Sequence, residues 1–170
     1  MHFLLGFTLV ELLLTLAVGS ILLLVAVPGF SHLLATQQLE DSALIMQRSL
    51  SLARGEAITK GKSLTLSRLN GAWRDGWLLY EDSSQNGHYD DGEKVFRVFP
   101  ALPKAIQLTG NAPVSRYIRF TPDGRATLLN GGYQIGTLTV CRQGGRQAIR
   151  LTINNAGRAT LKRVMQPCNL

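Results

Sequence analysis

The chain has 170 residues, enough for about one domain, and its 18 Lys+Arg against 11 Asp+Glu give a formal net charge of +7. That length argues against a multidomain enzyme, and 17 Gly with 6 Pro exclude both a collagen-like and a low-complexity disordered chain. Charged residues make up 17% of the sequence where soluble domains average roughly 25%, so apolar residues must be concentrated in one place, and they are, at the amino terminus. The two cysteines, Cys141 and Cys168, lie near no histidine at metal-ligand spacing, which leaves a zinc site unsupported. A single structural disulfide between them is expected if the body lies in an oxidising compartment.

In chain order, the first element is the apolar run at residues 7–27, broken only by Thr8, Glu11, Thr15, Gly19 and Ser20. It matches the ~20 helical residues needed to cross a bilayer core. A cleaved secretory signal is the competing reading, but the run exceeds the usual ~7 to 15 residue apolar core and Pro28 would follow the cut. Glu11 is anomalous in either case. A lone carboxylate in hydrocarbon costs at least ~2.5 kcal/mol, and no cation lies within the span to offset it.

Gly6-Phe7-Thr8-Leu9-Val10-Glu11 followed by an apolar helix resembles the class III signal of type IV pilins and type II secretion pseudopilins. The resemblance implies a leader at residues 1–6, cleavage by a prepilin peptidase between Gly6 and Phe7, and methylation of the new amino group of Phe7. It further implies that Glu11 offers its carboxylate to the Phe7 amine of a neighbouring subunit during filament assembly. That role fits the physical demand, because an ammonium from an adjacent subunit compensates a buried carboxylate. The leader departs from the family in having no Lys or Arg, only His2.

Pro28 falls where pilin helices carry a kink-prone proline, and beyond it an apolar stripe runs Leu39, Ala43, Met46, Leu50, Ala53, Ala57. Gln37, Glu40, Asp41, Gln47, Arg48 and Arg54 fall between these positions, so residues 28–60 read as an amphipathic stem that lies on a sheet. Gly61 ends the helix. A continuous helix over residues 8–60 would be a rod of roughly 75 to 80 Å; the alternative is two helices split at Pro28 and Gly29.

From Gly61 the period changes to two, and residues 61–170 read as a β-rich body. Strands are expected at 63–67, 77–80, 95–98, 117–120, 137–140 and 148–153, with turns at Asn70-Gly71, Pro122-Asp123-Gly124 and Asn130-Gly131-Gly132. The fold class is α+β: a long amino-terminal helix packed on a carboxy-terminal antiparallel body. Residues 52–58, 120–124 and Gly157-Arg158 resemble the GspH/FimT branch of minor pilins and pseudopilins. The acidic stretch at residues 82–93 superficially resembles a calcium loop, but it lacks the required D-x-[DN]-x-[DN]-G spacing with a glutamate at position 12. It reads as a solvated loop and no metal site is expected.

Charge is polarised along the chain. Residues 1–103 hold 8 Lys+Arg and 10 Asp+Glu, net −2, whereas residues 104–170 hold 10 Lys+Arg and Asp123 as the one acid, net +9. The sharpest case is the last hairpin, residues 149–153 returning as 159–163. With Gly157 left-handed in a short loop, Ile153 faces Ala159 and Leu151 faces Leu161 on the buried side. Arg150, Thr152, Asn154, Arg158, Thr160 and Lys162 then share the outer side, with Arg150 opposite Lys162 in a like-charge pair that favours no fold.

Arg142 and Arg146 before the hairpin and Arg163 after it enlarge this surface if all face one side. Such a surface neutralises phosphates of a double-stranded DNA backbone without reading its sequence. A solvated face that merely aids solubility explains the same charge. FimT-type minor pilins are thought to bind DNA through a carboxy-terminal Gly-Arg-x-Arg motif; Gly157-Arg158-Ala159-Thr160 keeps the glycine and first arginine but has Thr160 at the second.

No H-E-x-x-H, G-x-S-x-G, G-x-x-x-x-G-K-[ST] or C-x-x-C is present, and His2, His32 and His88 form no triad with a nucleophile. The expectation is therefore a non-catalytic subunit without cofactor. It is anchored in a bacterial inner membrane with a periplasmic body, and it assembles with other pilins into a type IV pilus or a type II secretion pseudopilus. DNA uptake in natural transformation is the further reading, and a secretion component that binds no DNA is the alternative.

Overall fold

The computed structural model describes residues 8–168, apart from the side chains of residues 25–29, 31 and 32. The expected processing site, Gly6 and Phe7, lies outside them. The chain divides into a first unit up to Gln37 and a second from Gln38 onward.

The helix α1 (Leu9–Lys60) is assigned without a break at Pro28, so the split into two helices does not occur. Gly61, at a φ of 62° that other residues adopt only with strain, terminates it. In the second unit the predicted stripe is the buried face of this helix: Leu39, Ala43, Met46, Leu50, Ala53 and Ala57 are each no more than 6% exposed. Three alanines let the sheets approach closely, while burial of Leu39, Met46 and Leu50 contributes about 1.5 to 3 kcal/mol each.

Eight antiparallel strands follow: β1 (Leu64–Arg68), β2 (Trp77–Tyr80), β3 (Val95–Phe99), β4 (Ile106–Gly110), β5 (Tyr117–Phe120), β6 (Gly136–Arg142), β7 (Gln147–Ile153) and β8 (Ala159–Met165). They form two four-stranded sheets, ordered β3-β2-β1-β5 and β4-β6-β7-β8. One core joins the helix stripe to both sheets through Leu64 and Leu66 of β1, Ile118 and Phe120 of β5, Leu138 and Val140 of β6, and Leu151 and Ile153 of β7. Trp73 and Trp77 belong to that core, with ring centroids 6.5 Å apart, and the Trp73 indole N–H donates to the Val114 carbonyl at 3.0 Å.

Both faces of the first sheet are covered at β1, β2 and β5. Thr65, Ser67, Leu78, Tyr80 and Tyr117 alternate with the core residues and are also buried. The acidic segment between β2 and β3 lies over them: Tyr89 packs edge-on to Tyr80 at 5.6 Å, and Gly87 sits where a Cβ would come within 2.8 Å of the Tyr117 ring.

Candidate functional site

At the amino terminus Thr8 caps the helix. Its hydroxyl accepts from the Glu11 amide at 3.2 Å, and its carbonyl accepts from the Leu12 amide. Thr8-Leu9-Val10-Glu11 thus has the spacing of a capping box, a signal in the sequence beyond the assembly motif itself. Thr15 and Ser20 return their hydroxyls to the carbonyls of Leu12 and Ala17, each at 2.8 Å, so the helix itself satisfies these polar groups. Glu11 makes no ion pair among the described residues. Around it Leu9, Val10, Leu12, Leu13, Leu14, Leu16, Val18 and residues 21–24 are at least half exposed, an apolar surface on every side of the helix. Among the described residues no helix is long and apolar enough to cross a membrane; the expected span at residues 7–27 includes side chains outside them.

The last hairpin has the predicted register. Ile153 pairs with Ala159, Leu151 with Leu161 and Arg150 with Lys162. Its loop closes through the Gly157 amide on the Asn154 carbonyl at 3.0 Å, and the Arg158 amide on Asn154 Oδ1 at 3.0 Å. Arg150, Thr152, Thr160 and Lys162 are exposed on the outer side, with Arg158 exposed at the loop end and Arg146 exposed in the turn before β7. From Arg146 to Asn154 this stripe is about 25 Å long at the usual strand rise. Arg150 also donates to Gln166 Oε1 at 2.6 Å.

The basic residues do not all face one side. Arg163 shares the strand face of Leu161 and pairs with Glu40 of the helix at 2.8 Å. Arg142, at the end of β6, has the strand parity of Leu138 and Val140 rather than that of the outer surface. The reason is strand alternation: β6 continues past its predicted end to Arg142, and Arg163 follows Lys162 within β8, so both have the parity opposite to the outer stripe.

Cys141 and Cys168 are disulfide-bonded, with Cα atoms 5.6 Å apart, and with Ala148 they form a small cluster against which Val164 packs. The Gln166 and Cys168 amides donate to the carbonyls of Arg146 and Gly145, each at 3.1 Å, so the tail is stitched to the turn that carries Arg146.

Three separated sequence segments meet at the loop of the hairpin. Arg54 Nε, from the helix, donates to the Gly124 carbonyl at 2.9 Å and to the Ala156 carbonyl at 3.1 Å. Gly157, at a φ of 71°, lies so close to Gly124 that a Cβ there would stand 2.3 Å from its carbonyl oxygen. Nearby, the Gln47 amide donates to the Ala159 carbonyl at 3.3 Å. Residues 52–58, 120–124 and 157–158, separate in sequence, therefore form one junction that fixes where Arg158 is presented.

The acidic segment spends its carboxylates on its own backbone. Asp82 accepts from the Asn86 and Gly87 amides at 3.1 and 2.9 Å, and Glu93 from the amides of Ser83, Ser84 and Asp90 at 2.8 to 3.2 Å. Asp90 accepts from the Ser84 hydroxyl and from Nδ2 of the Asn86 side chain. Among the described residues no three His, Cys, Asp or Glu side chains come together to hold a metal ion.

A long helix whose second half lies under two antiparallel sheets defines a type IV pilin-like subunit. The family model for the type II transport protein GspH matches residues 44–157, and the chain belongs to that family. The fold is similar to the type IV minor pilin FimU of Pseudomonas aeruginosa, with a TM-score of 0.59 at 21% identity over 75% of this chain and 90% of that one. It is also similar to the minor pseudopilin EpsH from the type II secretion system of Vibrio cholerae, with a TM-score of 0.51 at 16% identity over 79% and 97% of the two chains. No curated protein matches the sequence. The chain is thus a minor pilin or pseudopilin, a structural subunit of a family that assembles into filaments.

Proposed function

We propose that residues 7–27 hold the subunit in the inner membrane before assembly, with the body from the stem onward in the periplasm, and that the same helix then enters a filament core. In this reading prepilin peptidase cuts between Gly6 and Phe7, and Glu11 pairs with the methylated amine of Phe7 on the neighbouring subunit. The observation that supports it is the helix surface around Glu11, apolar on every side with one unpaired carboxylate. Such a surface requires lipid or other helices around it, and the carboxylate requires a cation. The role is structural rather than catalytic. Replacing Glu11 with Ala leaves the protein in the membrane and lowers its recovery in sheared filaments; unchanged recovery refutes the pairing.

A second reading, double-stranded DNA contact, is favoured by the outer face of the last hairpin. Arg150 and Lys162 stand side by side there without a carboxylate, with Arg146 and Arg158 at the two ends. Arg142 and Arg163 lie off this stripe and contribute at its edge at most. Four contacts on phosphates give log K a slope against log salt of about −3 to −4. For the full chain in detergent, Arg150→Gln with Lys162→Gln weakens binding to every sequence alike and reduces that slope by about 2. Undetectable binding at low salt leaves the hairpin as a protein-contact surface, the role expected in a secretion pseudopilus.

A further inference from the structure

Three Asn-Gly dipeptides occur in the chain, at residues 70–71, 86–87 and 130–131. Asparagine is a thermolabile residue. Its side-chain amide is most open to attack when glycine follows, because no Cβ shields the next backbone nitrogen. The three dipeptides share this local chemistry. What distinguishes them is how the fold holds the two reacting groups, the Asn carboxamide and the Gly amide.

At residues 86–87 both groups are held. The Gly87 amide, in a buried residue, donates to Asp82 Oδ2 at 2.9 Å, and the Asn86 amide donates to Asp82 Oδ1 at 3.1 Å. The Asn86 carboxamide donates to Asp90 and accepts from the His88 amide, each at 2.7 Å. A carboxylate on the Gly87 amide also opposes loss of its proton, since two negative charges would then face each other. At residues 130–131 the Gly131 amide donates to the Leu128 carbonyl at 3.0 Å, and Asn130 Oδ1 accepts from the Gly132 amide at 3.1 Å.

The turn at residues 70–71 differs. Asn70 and Gly71 both have positive φ, 48° and 82°, and the Ala72 amide donates to the Leu69 carbonyl at 3.0 Å, the pattern of a type I′ turn between β1 and Trp73. Both residues are exposed, and neither the Asn70 carboxamide nor the Gly71 amide has a hydrogen bond among the described residues. Neither reacting group therefore has to be released from a partner before the two meet.

We propose that Asn70 is a site of spontaneous covalent modification in the folded subunit, converted to aspartate and isoaspartate while Asn86 and Asn130 persist. Hydroxide takes the Gly71 amide proton, the nitrogen bonds to Asn70 Cγ, the Cγ–Nδ2 bond breaks, and ammonia leaves with a proton from water, which restores the hydroxide. Water then opens the five-membered imide at either carbonyl, so one water is consumed and one ammonia released overall. Aspartate adds a negative charge to the turn. Isoaspartate also lengthens the backbone there by a carbon, between β1 and the core residue Trp73. The site is independent of Glu11 and of the basic hairpin.

The test incubates the full chain at mildly alkaline pH, folded in detergent or unfolded in guanidinium chloride. Each site is followed by mass after reduction and trypsin cleavage, which leaves Asn70, Asn86 and Asn130 on separate peptides, residues 69–74, 75–94 and 126–142. In the folded chain the 69–74 peptide turns from amide to acid about threefold to tenfold faster than the 126–142 peptide, the effect of releasing one neutral hydrogen bond. The 75–94 peptide is slower still, and the 69–74 product resolves into aspartate and isoaspartate forms. In the unfolded chain the three peptides convert at similar rates. Conversion of Asn86 or Asn130 in the folded chain as fast as that of Asn70 overturns the proposal, as does the same ranking of the three in the unfolded chain. So does an Asn70 peptide that stays unchanged in the folded chain while all three convert in the unfolded one.

Discussion

Gly157 and Gly144 provide a matched pair for testing how the basic hairpin is held. Both are left-handed glycines in loops that close β-hairpins, at φ 71° and 73°. Alanine at either position incurs the left-handed penalty of about 1 to 2 kcal/mol. Their surroundings differ: nothing lies within 4 Å of a Cβ at Gly144, whereas at Gly157 the Gly124 carbonyl oxygen would be 2.3 Å away and a Phe120 ring carbon 3.2 Å away. Relief requires moving the Gly124 carbonyl, which also accepts from Arg54. Overpacking of this kind adds about 1 to 3 kcal/mol, and loss of the Arg54 bond adds about 1 more. Gly157→Ala should therefore cost about 3 to 6 kcal/mol and Gly144→Ala about 1 to 2. Trp73 and Trp77, both in the core, report urea unfolding of the second unit in the full chain. At a slope of about 2 kcal/mol per molar, the midpoints of the two variants differ by about 1 M or more. Equal midpoints refute the idea that the hairpin loop is wedged against the Gly124 turn.

The Arg54 contacts, the disulfide and the burial of Tyr80 each set a further expected outcome. Arg54→Met keeps the stem of the side chain and loses the donor to two carbonyls; it should lower stability by about 1 to 2 kcal/mol in the same urea assay. A Gly157→Ala background should shrink that loss, because the two substitutions disturb one junction. Reduction of the Cys141–Cys168 bond, which closes 27 residues, should lower stability by roughly 3 kcal/mol on the chain-entropy estimate, read as a shift in the urea midpoint with and without reductant. Burial pushes the Tyr80 hydroxyl above its usual value of 10.0. The unfolded chain therefore releases this proton first, and stability present below about pH 10 is lost as pH rises beyond it. In urea midpoints measured between pH 8 and 11, Tyr80→Phe should flatten the alkaline decline; an unchanged slope contradicts the assignment.

The elements legible in the sequence are those set by local rules. The stripe from Leu39 to Ala57 follows helix periodicity, Gly61 is the stop, and the register of the last hairpin follows from Gly157. Strand β4 was not legible: Ile106 and Leu108 give only two alternations between Pro103 and Gly110, too few to stand out from a loop. The partition into two sheets depends on which edges meet across the helix, which no local pattern encodes.

At the candidate surfaces, the positions of Arg150 and Lys162 were readable from alternation. The same rule places Arg163 on the strand face of Leu161 rather than on that of Lys162. The Arg54 contacts to Gly124 and Ala156 span 70 and 102 residues, beyond any sequence spacing. Likewise, the acidic segment looks solvated by composition, yet its carboxylates cap backbone amides and Asp82 is buried. The family match at residues 44–157 takes in the Arg54 and Gly124 parts of the junction and ends at Gly157. It thus covers the wedge but stops before Arg158 and β8.

The filament-subunit account is tested most directly by the mass of the chain recovered from filaments sheared off cells. It predicts a chain that begins at Phe7, lacks residues 1–6 and carries a methyl group on its new amino terminus. A chain that still begins at Met1 and stays wholly in the membrane fraction, with none in filaments, would contradict it.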